Sequence, residues 1–100
     1  MEILIDNVIQ WAHNKGLITR DNSYKQFAKV VEEVAEIGSA LNHNDTLELI
    51  DAIGDTTVTL IILAEQNGLN FKGCLEHAYN VIANRTGKTV NGVFIKDKTI

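Results

Sequence analysis

The sequence predicts an all-α protein: an antiparallel four-helix bundle with a short extended or hairpin tail at the C-terminus, assembled into an oligomer. Apolar residues recur at helical spacing through most of the 100 residues, glycine or asparagine closes each helical stretch, and the chain contains no proline. The length suits one core, and no linker or internal repeat interrupts it. Residues 1–100 are therefore expected to form a single domain.

The first two helices are delimited by polar and glycine signals. Gly16 is expected to end the first helix, because glycine readily adopts the left-handed conformation that closes a helix. Trp11 of that helix is expected to lie in the core, with an aromatic surface that stacks against a ligand as the alternative. Ser23 and Gln26 have the spacing of a capping box, which predicts a second helix from Ser23 to about Asn42.

Similar signals delimit the third and fourth helices. Asp45 and Glu48 repeat the capping-box spacing and predict a third helix that continues to about Gln66. Asn70 is a suitable N-cap for a fourth helix, which should end near Asn84. Because the loops are short, consecutive helices should be antiparallel neighbours.

The tail carries the pair Asn91-Gly92, which is typical of a two-residue β-hairpin. The hairpin is expected to span roughly residues 89–95. An isolated hairpin is marginally stable in water, so this one should pack against another element.

Composition excludes several classes of partner. The formal net charge of −4 argues against nucleic acid, because phosphate backbones are normally bound by a basic excess. The longest apolar run, residues 58–64, is far shorter than the roughly 18 residues of a membrane span, and the N-terminus lacks the pattern of a signal peptide. The single cysteine, Cys74, fits a reducing compartment. We therefore expect a cytoplasmic protein that binds neither nucleic acid nor membranes.

The second helix carries an acidic stripe. Glu32, Glu33 and Glu36 fall within an arc of about 100°, because a helix turns roughly 100° per residue. Lys29 lies on the same side. The apolar residues expected to face the core on the opposite side are Phe27, Val30, Val31, Val34, Ile37 and Leu41. Taken alone, this division is also typical of an ordinary solvent-exposed helix.

A second acidic stripe lies on the third helix. Glu48, Asp51 and Asp55 lie within about 60° of one another. The apolar residues on the opposite side are Leu49, Ile50 and Ile53.

The two stripes are expected to face each other. If the helices fold back near Asn44, residue numbers that sum to about 88 lie level, so that Glu33 lies beside Asp55 and Glu36 beside Asp51. Facing carboxylates repel in a partly desolvated groove, and divalent cations remove that conflict. Oxygen ligands favour Mg²⁺, with Mn²⁺ able to substitute. A di-iron site is not expected, because no histidine has a glutamate three residues before it.

Three segments carry a family resemblance. Residues 26–36, with the pattern Gln-x-x-Lys-x-x-Glu-Glu-x-x-Glu, and residues 49–55, Leu-Ile-Asp-Ala-Ile-Gly-Asp, resemble the MazG-type nucleotide pyrophosphohydrolases of the all-α NTP pyrophosphatase superfamily. Residues 84–94 are similar to the ending of small MazG-like proteins, many of them from phages. The resemblance implies Mg²⁺-dependent hydrolysis of an NTP or dNTP between the α and β phosphates, giving a nucleoside monophosphate and pyrophosphate.

The resemblance also implies roles for the acidic residues. The family's Mg²⁺ ligands correspond to Glu33, Glu36 and Asp55. Glu32 is expected to hold a further ion or to orient the attacking water. Glu33 and Glu32 are the candidates for the general base.

Cationic and polar side chains are expected to bind the substrate. Lys29, one turn before Glu33, is the best placed to hold pyrophosphate, and Arg85 and Lys88 are further candidates. Asn80 corresponds to polar residues that contact the base or ribose in this superfamily. Each has a structural alternative, such as an i,i+4 ion pair for Lys29 or a helix-dipole interaction for the two C-terminal cations.

One position departs from the family pattern. The second acidic element is commonly Glu-x-x-Asp, and its glutamate falls on Ala52. Asp51, level with Glu36, is favoured as the replacement ligand. Glu48 is the alternative, but it lies one helical turn, about 5 to 6 Å, closer to the loop and can be occupied as a cap.

Two other functions are compatible with the sequence. One is a non-catalytic helical interaction module, whose acidic faces serve only solubility. The other is phosphoribosyl-ATP pyrophosphohydrolase, which shares the superfamily's fold and chemistry but matches the tail less well. Whichever holds, residues 58–64 are apolar nearly all round, which predicts a homodimer or homotetramer that covers them.

Overall fold

A computed structural model describes residues 1–97. It contains the helices α1 (Glu2–Asn14), α2 (Ser23–His43), α3 (Thr46–Gln66) and α4 (Phe71–Ala83), followed by the strands β1 (Gly87–Val90) and β2 (Val93–Lys96). The predicted four helices and C-terminal hairpin are therefore confirmed. No helix in this part of the chain combines the length and apolar character needed to cross a membrane.

Three of the helices end in a left-handed residue, as the glycine and asparagine signals predict. Gly16 has a φ of 71° after α1, and the amide of Leu17 reaches back 3.0 Å to the carbonyl of Ala12. Asn44, with a φ of 53°, and Gly68, with a φ of 69°, follow α2 and α3. This pattern satisfies carbonyl groups that the helix itself leaves unpaired.

Side chains cap the starts of α3 and α4. Asp45 Oδ1 accepts a hydrogen bond from the Glu48 amide at 3.1 Å, and Asn70 Oδ1 accepts one from the Gly73 amide, also at 3.1 Å. Both predicted N-caps are therefore confirmed.

Replacing Asn70 with alanine is expected to lower the free energy of unfolding by about 1 kcal/mol, because the Gly73 amide loses its acceptor. Urea denaturation followed by circular dichroism measures the change. Asn70→Ser is the matched control, since serine also caps helices and should retain most of the stability. Equal destabilisation by both variants would contradict a capping role.

The capping box predicted at Ser23 is not formed. Asn22 precedes α2 without a side-chain capping bond. Gln26 Nε2 instead donates to the Thr59 carbonyl on α3 at 3.1 Å, and Ser23 Oγ accepts from Asn67 Nδ2 at 3.1 Å. Both side chains therefore join α2 to α3, which fixes the register of the two helices.

The α2–α3 pair forms the most extensive helix contact and packs along a seam. The shielded positions of α2 alternate by four and three residues: Gln26, Val30, Glu33, Ile37 and Ala40. On α3, one series of shielded positions has the same spacing: Ala52, Thr56, Thr59, Leu63 and Gln66. Other shielded residues of α3, such as Ile61 and Ile62, lie outside this series. This spacing is that of a coiled-coil interface, and it places several polar residues inside it.

The prediction of which apolar residues face the core is partly wrong. Val30 and Ile37 lie in the seam, but the other four predicted core residues of α2 are exposed: Phe27, Val31, Val34 and Leu41. Glu33, predicted on the acidic stripe that faces the third helix, is only 7% exposed. Hydrophobic periodicity identifies a face that something will cover, but it does not identify the covering element.

The apolar segment 58–64 is largely covered within the chain. Ile61 and Ile62 are buried, and only Leu60 in this segment is classed as exposed. α1 packs against this half of α3, where Gln66 Nε2 donates to the Leu17 carbonyl at 2.8 Å. A second subunit is therefore not needed to cover this segment, contrary to the prediction from the sequence.

The C-terminal hairpin turns at Asn91 and Gly92, whose φ angles of 52° and 79° are typical of a type I′ turn. The four residue pairs run from Gly87–Lys96 to Val90–Val93. Within the described chain, neither strand forms an extensive contact with a helix, and all of its residues are exposed.

Candidate active site

A cleft of about 440 Å³ opens beside the seam, between α2, α3 and the end of α1. Its polar lining comes from Gln26, Lys29, Glu33, Asp55 and Thr59, and its apolar lining from Trp11, Leu17, Val58 and Ile62. Glu33 and Asp55 thus share one cleft, as the antiparallel register predicts.

Glu33 is the most enclosed acidic side chain of the cleft. It occupies a seam position of α2, where its neighbours along the helix, Val30 and Ile37, are also shielded. Its Oε1 lies 3.4 Å from Lys29 Nζ. Its Oε2 is buried and has no hydrogen-bond partner among the described residues. A buried carboxylate oxygen without a donor is unfavourable, so this atom is poised to accept a hydrogen bond or to bind a cation.

Negative charge is concentrated along α2. The pKa of the Glu36 carboxyl is raised, chiefly by the charge of Glu33, then by hydrogen bonding to Glu33 and by desolvation, and further by the charge of Glu32, while Lys29 opposes the shift. Hydrogen bonding to Glu33 and the charges of both neighbouring glutamates raise the pKa of the Lys29 ammonium. The three carboxylates of the predicted stripe therefore interact electrostatically with one another.

On α3, the predicted ligands differ in their surroundings. Asp55 is exposed and lines the cleft. Asp51, one turn earlier, is also exposed but is not part of the cleft lining. Both oxygens of the Glu48 carboxylate lie close to His43 Nδ1, at 3.1 and 3.2 Å. Glu48 is therefore already engaged at the α2–α3 turn, whereas Asp51 has no side-chain hydrogen bond or ion pair with another residue of the range 1–97.

The remaining predicted substrate contacts lie elsewhere in the chain. Asn80 lines a separate cleft of about 340 Å³ between α1 and α4. Arg85 follows α4 and Lys88 lies in β1, and both are exposed. Of the predicted substrate-binding residues, only Lys29 lies in the cleft that contains Glu33.

Two cleft residues differ from the main prediction made for them from the sequence. Trp11, predicted to lie in the core, is 49% exposed and lines the cleft. Gln26, predicted as a capping residue, reaches across to α3 beside the acidic residues. Its position seven residues before Glu33 and four before Val30 is the heptad spacing that could have revealed this role.

Among residues 1–97, no three histidine, cysteine, aspartate or glutamate side chains converge as a ready metal centre. Glu33 and Asp55 nevertheless provide a carboxylate from each helix to one cleft. Mg²⁺ in proteins usually keeps several waters and is held by one or two carboxylates together with substrate phosphates. The donor set is therefore compatible with a hard cation that arrives with a phosphorylated ligand.

The two acidic helices fall within a family match. A family model described as phosphoribosyl-ATP pyrophosphohydrolase matches residues 9–80, from the middle of α1 to Asn80 of α4. The chain belongs to the phosphoribosyl-ATP pyrophosphohydrolase family. This membership places the chain in the all-α pyrophosphohydrolase superfamily that the resemblance indicated, and it does not by itself identify the MazG-like subtype.

A relative of this chain occurs in a phage. An uncharacterized 18.2 kDa protein in the rep-hol intergenic region of Haemophilus phage HP1 is 37% identical over 70 residues. The match covers 70% of this chain and 43% of the phage protein, so the chain spans less than half the length of that relative. No solved structure matches the chain.

Proposed function

We propose that this protein is a MazG-like enzyme that hydrolyses an NTP or dNTP between the α and β phosphates in the presence of Mg²⁺. The observation that carries this proposal is the buried, unpartnered Oε2 of Glu33 in the cleft that also contains Asp55. An acidic surface that served only solubility would not need to enclose a carboxylate. Family membership supplies the reaction class, hydrolysis of a pyrophosphate bond.

The metal would be held by Glu33, Glu36 and Asp55, with Asp51 in place of the family glutamate that is absent at Ala52. Glu33 and Asp55 line the cleft, and the effect of Glu33 on the pKa of Glu36 reflects their proximity. Asp51 is favoured over Glu48 because the carboxylate of Glu48 is engaged by His43. Mn²⁺ should substitute for Mg²⁺, because the ligands are all oxygens.

When bound, Mg²⁺ would neutralise phosphate charge and increase the acidity of a bound water. Glu32 is the better candidate to accept a proton from the attacking water, because its side chain is 62% exposed whereas Glu33 is enclosed. Lys29 would bind phosphate oxygens from the rim of the cleft. Arg85 and Lys88 lie outside the cleft of their own chain, so we assign them a phosphate-binding role only through a neighbouring subunit.

A homodimer or homotetramer is supported by a surface that we call the apolar back face, which consists of Phe27, Val31, Val34, Leu41, Ile50 and Ile53. Each of these side chains is at least half exposed, and Ile50 reaches 60%. Monomeric proteins rarely leave so many large apolar residues of neighbouring helices in water. A second copy is the proposed cover, because the four α2 members repeat at helical spacing and suit helix-on-helix packing.

Replacing Val34 with aspartate is expected to convert the oligomer into a monomer, because the charge would be buried without a partner at the interface. Size-exclusion chromatography with light scattering measures the mass. Ser39→Asp, at an exposed position of the same helix outside the back face, is the control and should leave the mass unchanged. A monomeric parent protein would contradict the proposed assembly.

A second candidate function is phosphoribosyl-ATP pyrophosphohydrolase activity, and the family match favours it. The matched residues end at residue 80, before the tail at residues 84–94 that resembles MazG-like proteins. The two candidates share the bond that is cleaved and differ in the group attached to the nucleotide.

A pyrophosphate-release screen tests both functions. The purified protein is incubated with canonical and modified NTPs and dNTPs and with phosphoribosyl-ATP, each with Mg²⁺, with Mn²⁺ and with EDTA. We expect metal-dependent release of pyrophosphate from at least one nucleoside triphosphate. Release from phosphoribosyl-ATP alone would favour the second function. Inactivity with every substrate, together with no Mg²⁺ binding by calorimetry, would favour a non-catalytic interaction module.

A further inference from the structure

Lys29 bridges two carboxylates on α2. Its Nζ lies 3.4 Å from Glu33 Oε1 and 3.6 Å from Glu32 Oε1. Both distances exceed the 2.7 to 2.9 Å that is typical of a tight charge-assisted hydrogen bond. The ammonium is therefore shared between two carboxylates at distances longer than a tight hydrogen bond, with Glu33 as the nearer partner.

The two ends of this bridge have different environments. The side chain of Lys29 is about half exposed, so the ammonium can move away from the carboxylates into water. The side chain of Glu33 is only 9% exposed, and its second oxygen is unpartnered. Lys29 therefore compensates the charge of Glu33 incompletely.

A divalent cation and the Lys29 ammonium would compete for the same carboxylate. A cation bound at Glu33 would lie within a few ångströms of the present position of the ammonium, where like charges repel. A free Lys29 side chain on the rim of the cleft can instead contact an anionic ligand.

We propose that Lys29 is an exchangeable counter-ion: it neutralises the Glu32–Glu33 pair when no metal is bound, and the divalent cation displaces it. The displaced ammonium then binds phosphate oxygens of the substrate. This inference rests on the proposed metal site, and it identifies Lys29 as a residue that opposes metal binding while it favours substrate binding.

If this exchange occurs, Lys29→Gln should bind Mg²⁺ more tightly but bind the triphosphate less tightly. Removing the competing charge should tighten Mg²⁺ binding in the absence of nucleotide, by about threefold to tenfold. The same change should raise the KM for the triphosphate, because one phosphate contact is lost. A lysine that only held the carboxylates in place would weaken Mg²⁺ binding when removed, and one that made no phosphate contact would leave the KM unchanged.

Isothermal titration calorimetry of the full chain with MgCl₂ provides the test, with initial rates of pyrophosphate release as the second readout. Lys72→Gln is the matched control. Lys72 likewise bridges two carboxylates, those of Glu2 and Glu76, and is 51% exposed, but it lies on α4 away from the cleft. The control should bind Mg²⁺ like the parent protein.

The possible results separate the counter-ion role from the proposed function. Tighter Mg²⁺ binding by Lys29→Gln, with unchanged binding by Lys72→Gln, supports the exchange. Equal or weaker binding by Lys29→Gln overturns it and leaves the metal site intact. A parent protein that binds neither Mg²⁺ nor Mn²⁺ overturns both the exchange and the proposed metal site.

Discussion

Replacing Glu33 with glutamine is expected to reduce pyrophosphate release by about 10²- to 10⁴-fold, within the range typical of losing a group that acts directly in catalysis. Glutamine has nearly the same shape, so it should fit the seam. It lacks the negative charge that the proposed Mg²⁺ site requires. Its amide also provides only one acceptor oxygen, whereas the carboxylate provides two, one of which is buried and has no hydrogen-bond partner among the described residues.

The same substitution should not lower stability in the absence of metal. Glu33 Oε2 has no hydrogen-bond partner among the described residues, so folding buries part of a charge without full compensation. Lys29, its ion-pair partner, is half exposed and would not be left as a buried charge. We therefore expect the melting temperature of Glu33→Gln in EDTA to equal or exceed that of the parent protein.

Differential scanning calorimetry with and without MgCl₂ measures both effects. The parent protein should gain thermal stability with Mg²⁺, and Glu33→Gln should lose that gain. Glu65→Gln is the matched control, because Glu65 is a partly buried glutamate of α3 that contacts His13 rather than the cleft. Full activity in Glu33→Gln would contradict the assignment of this cleft as the active site.

Replacing Gly87 with valine is expected to abolish the C-terminal hairpin while leaving the four helices intact. An added Cβ at Gly87 would lie 2.2 Å from the carbonyl oxygen of Ile95 and 2.8 Å from Cζ of Phe94. Such contacts require the strands to separate. An isolated hairpin is only marginally stable in water, so this separation should unfold it. Neither strand packs extensively on a helix, so the loss should remain local.

Nuclear magnetic resonance can follow this change through cross-strand contacts between Lys88 and Ile95 and through amide exchange in both strands. Thr89→Val is the control, because Thr89 already carries a branched Cβ and valine is well suited to a strand. Retention of the cross-strand contacts in Gly87→Val would show that Gly87 is not required for the hairpin. If Arg85 and Lys88 bind phosphate in a neighbouring subunit, Gly87→Val should also raise the KM.

The local features of the fold follow from the sequence because each depends on a few neighbouring residues. Asp45 and Asn70 cap their helices as predicted, and Gly16 ends α1 in the left-handed conformation. Asn91 and Gly92 form the predicted turn. In each case a backbone requirement and a suitable side chain coincide within about four residues, so no tertiary contact has to be known.

The choice of packing face could not be predicted in the same way. The more apolar stripe of α2, which includes Phe27 and Val34, is exposed in the chain, and the seam contains Gln26 and Glu33 instead. Both stripes repeat at helical spacing in the sequence, so periodicity alone does not show which of them is buried. Which stripe is buried depends on the helix that packs against it. Here that helix is α3, which has small residues such as Ala52 among its buried positions.

The sequence could predict which acidic residues share the candidate site, but not how deeply each residue is buried there. The antiparallel register brings Glu33 and Asp55 to one cleft, as counting residues from the turn predicts. The burial of Glu33 and the exposure of Trp11 depend on how α1 and α3 cover the cleft, which sequence spacing does not specify. The separation of Asn80 from that cleft depends likewise on the placement of α4.

The short connection between α2 and α3 has a consequence for folding. Only Asn44 and Asp45 separate the two helices, so they form a helical hairpin whose contacts are local in the chain. Local contacts require little loop-closure entropy and tend to form early. The proposed ligands Glu33 and Asp55 both belong to this hairpin, so contacts that are local in the chain are enough to bring the two carboxylates to one cleft.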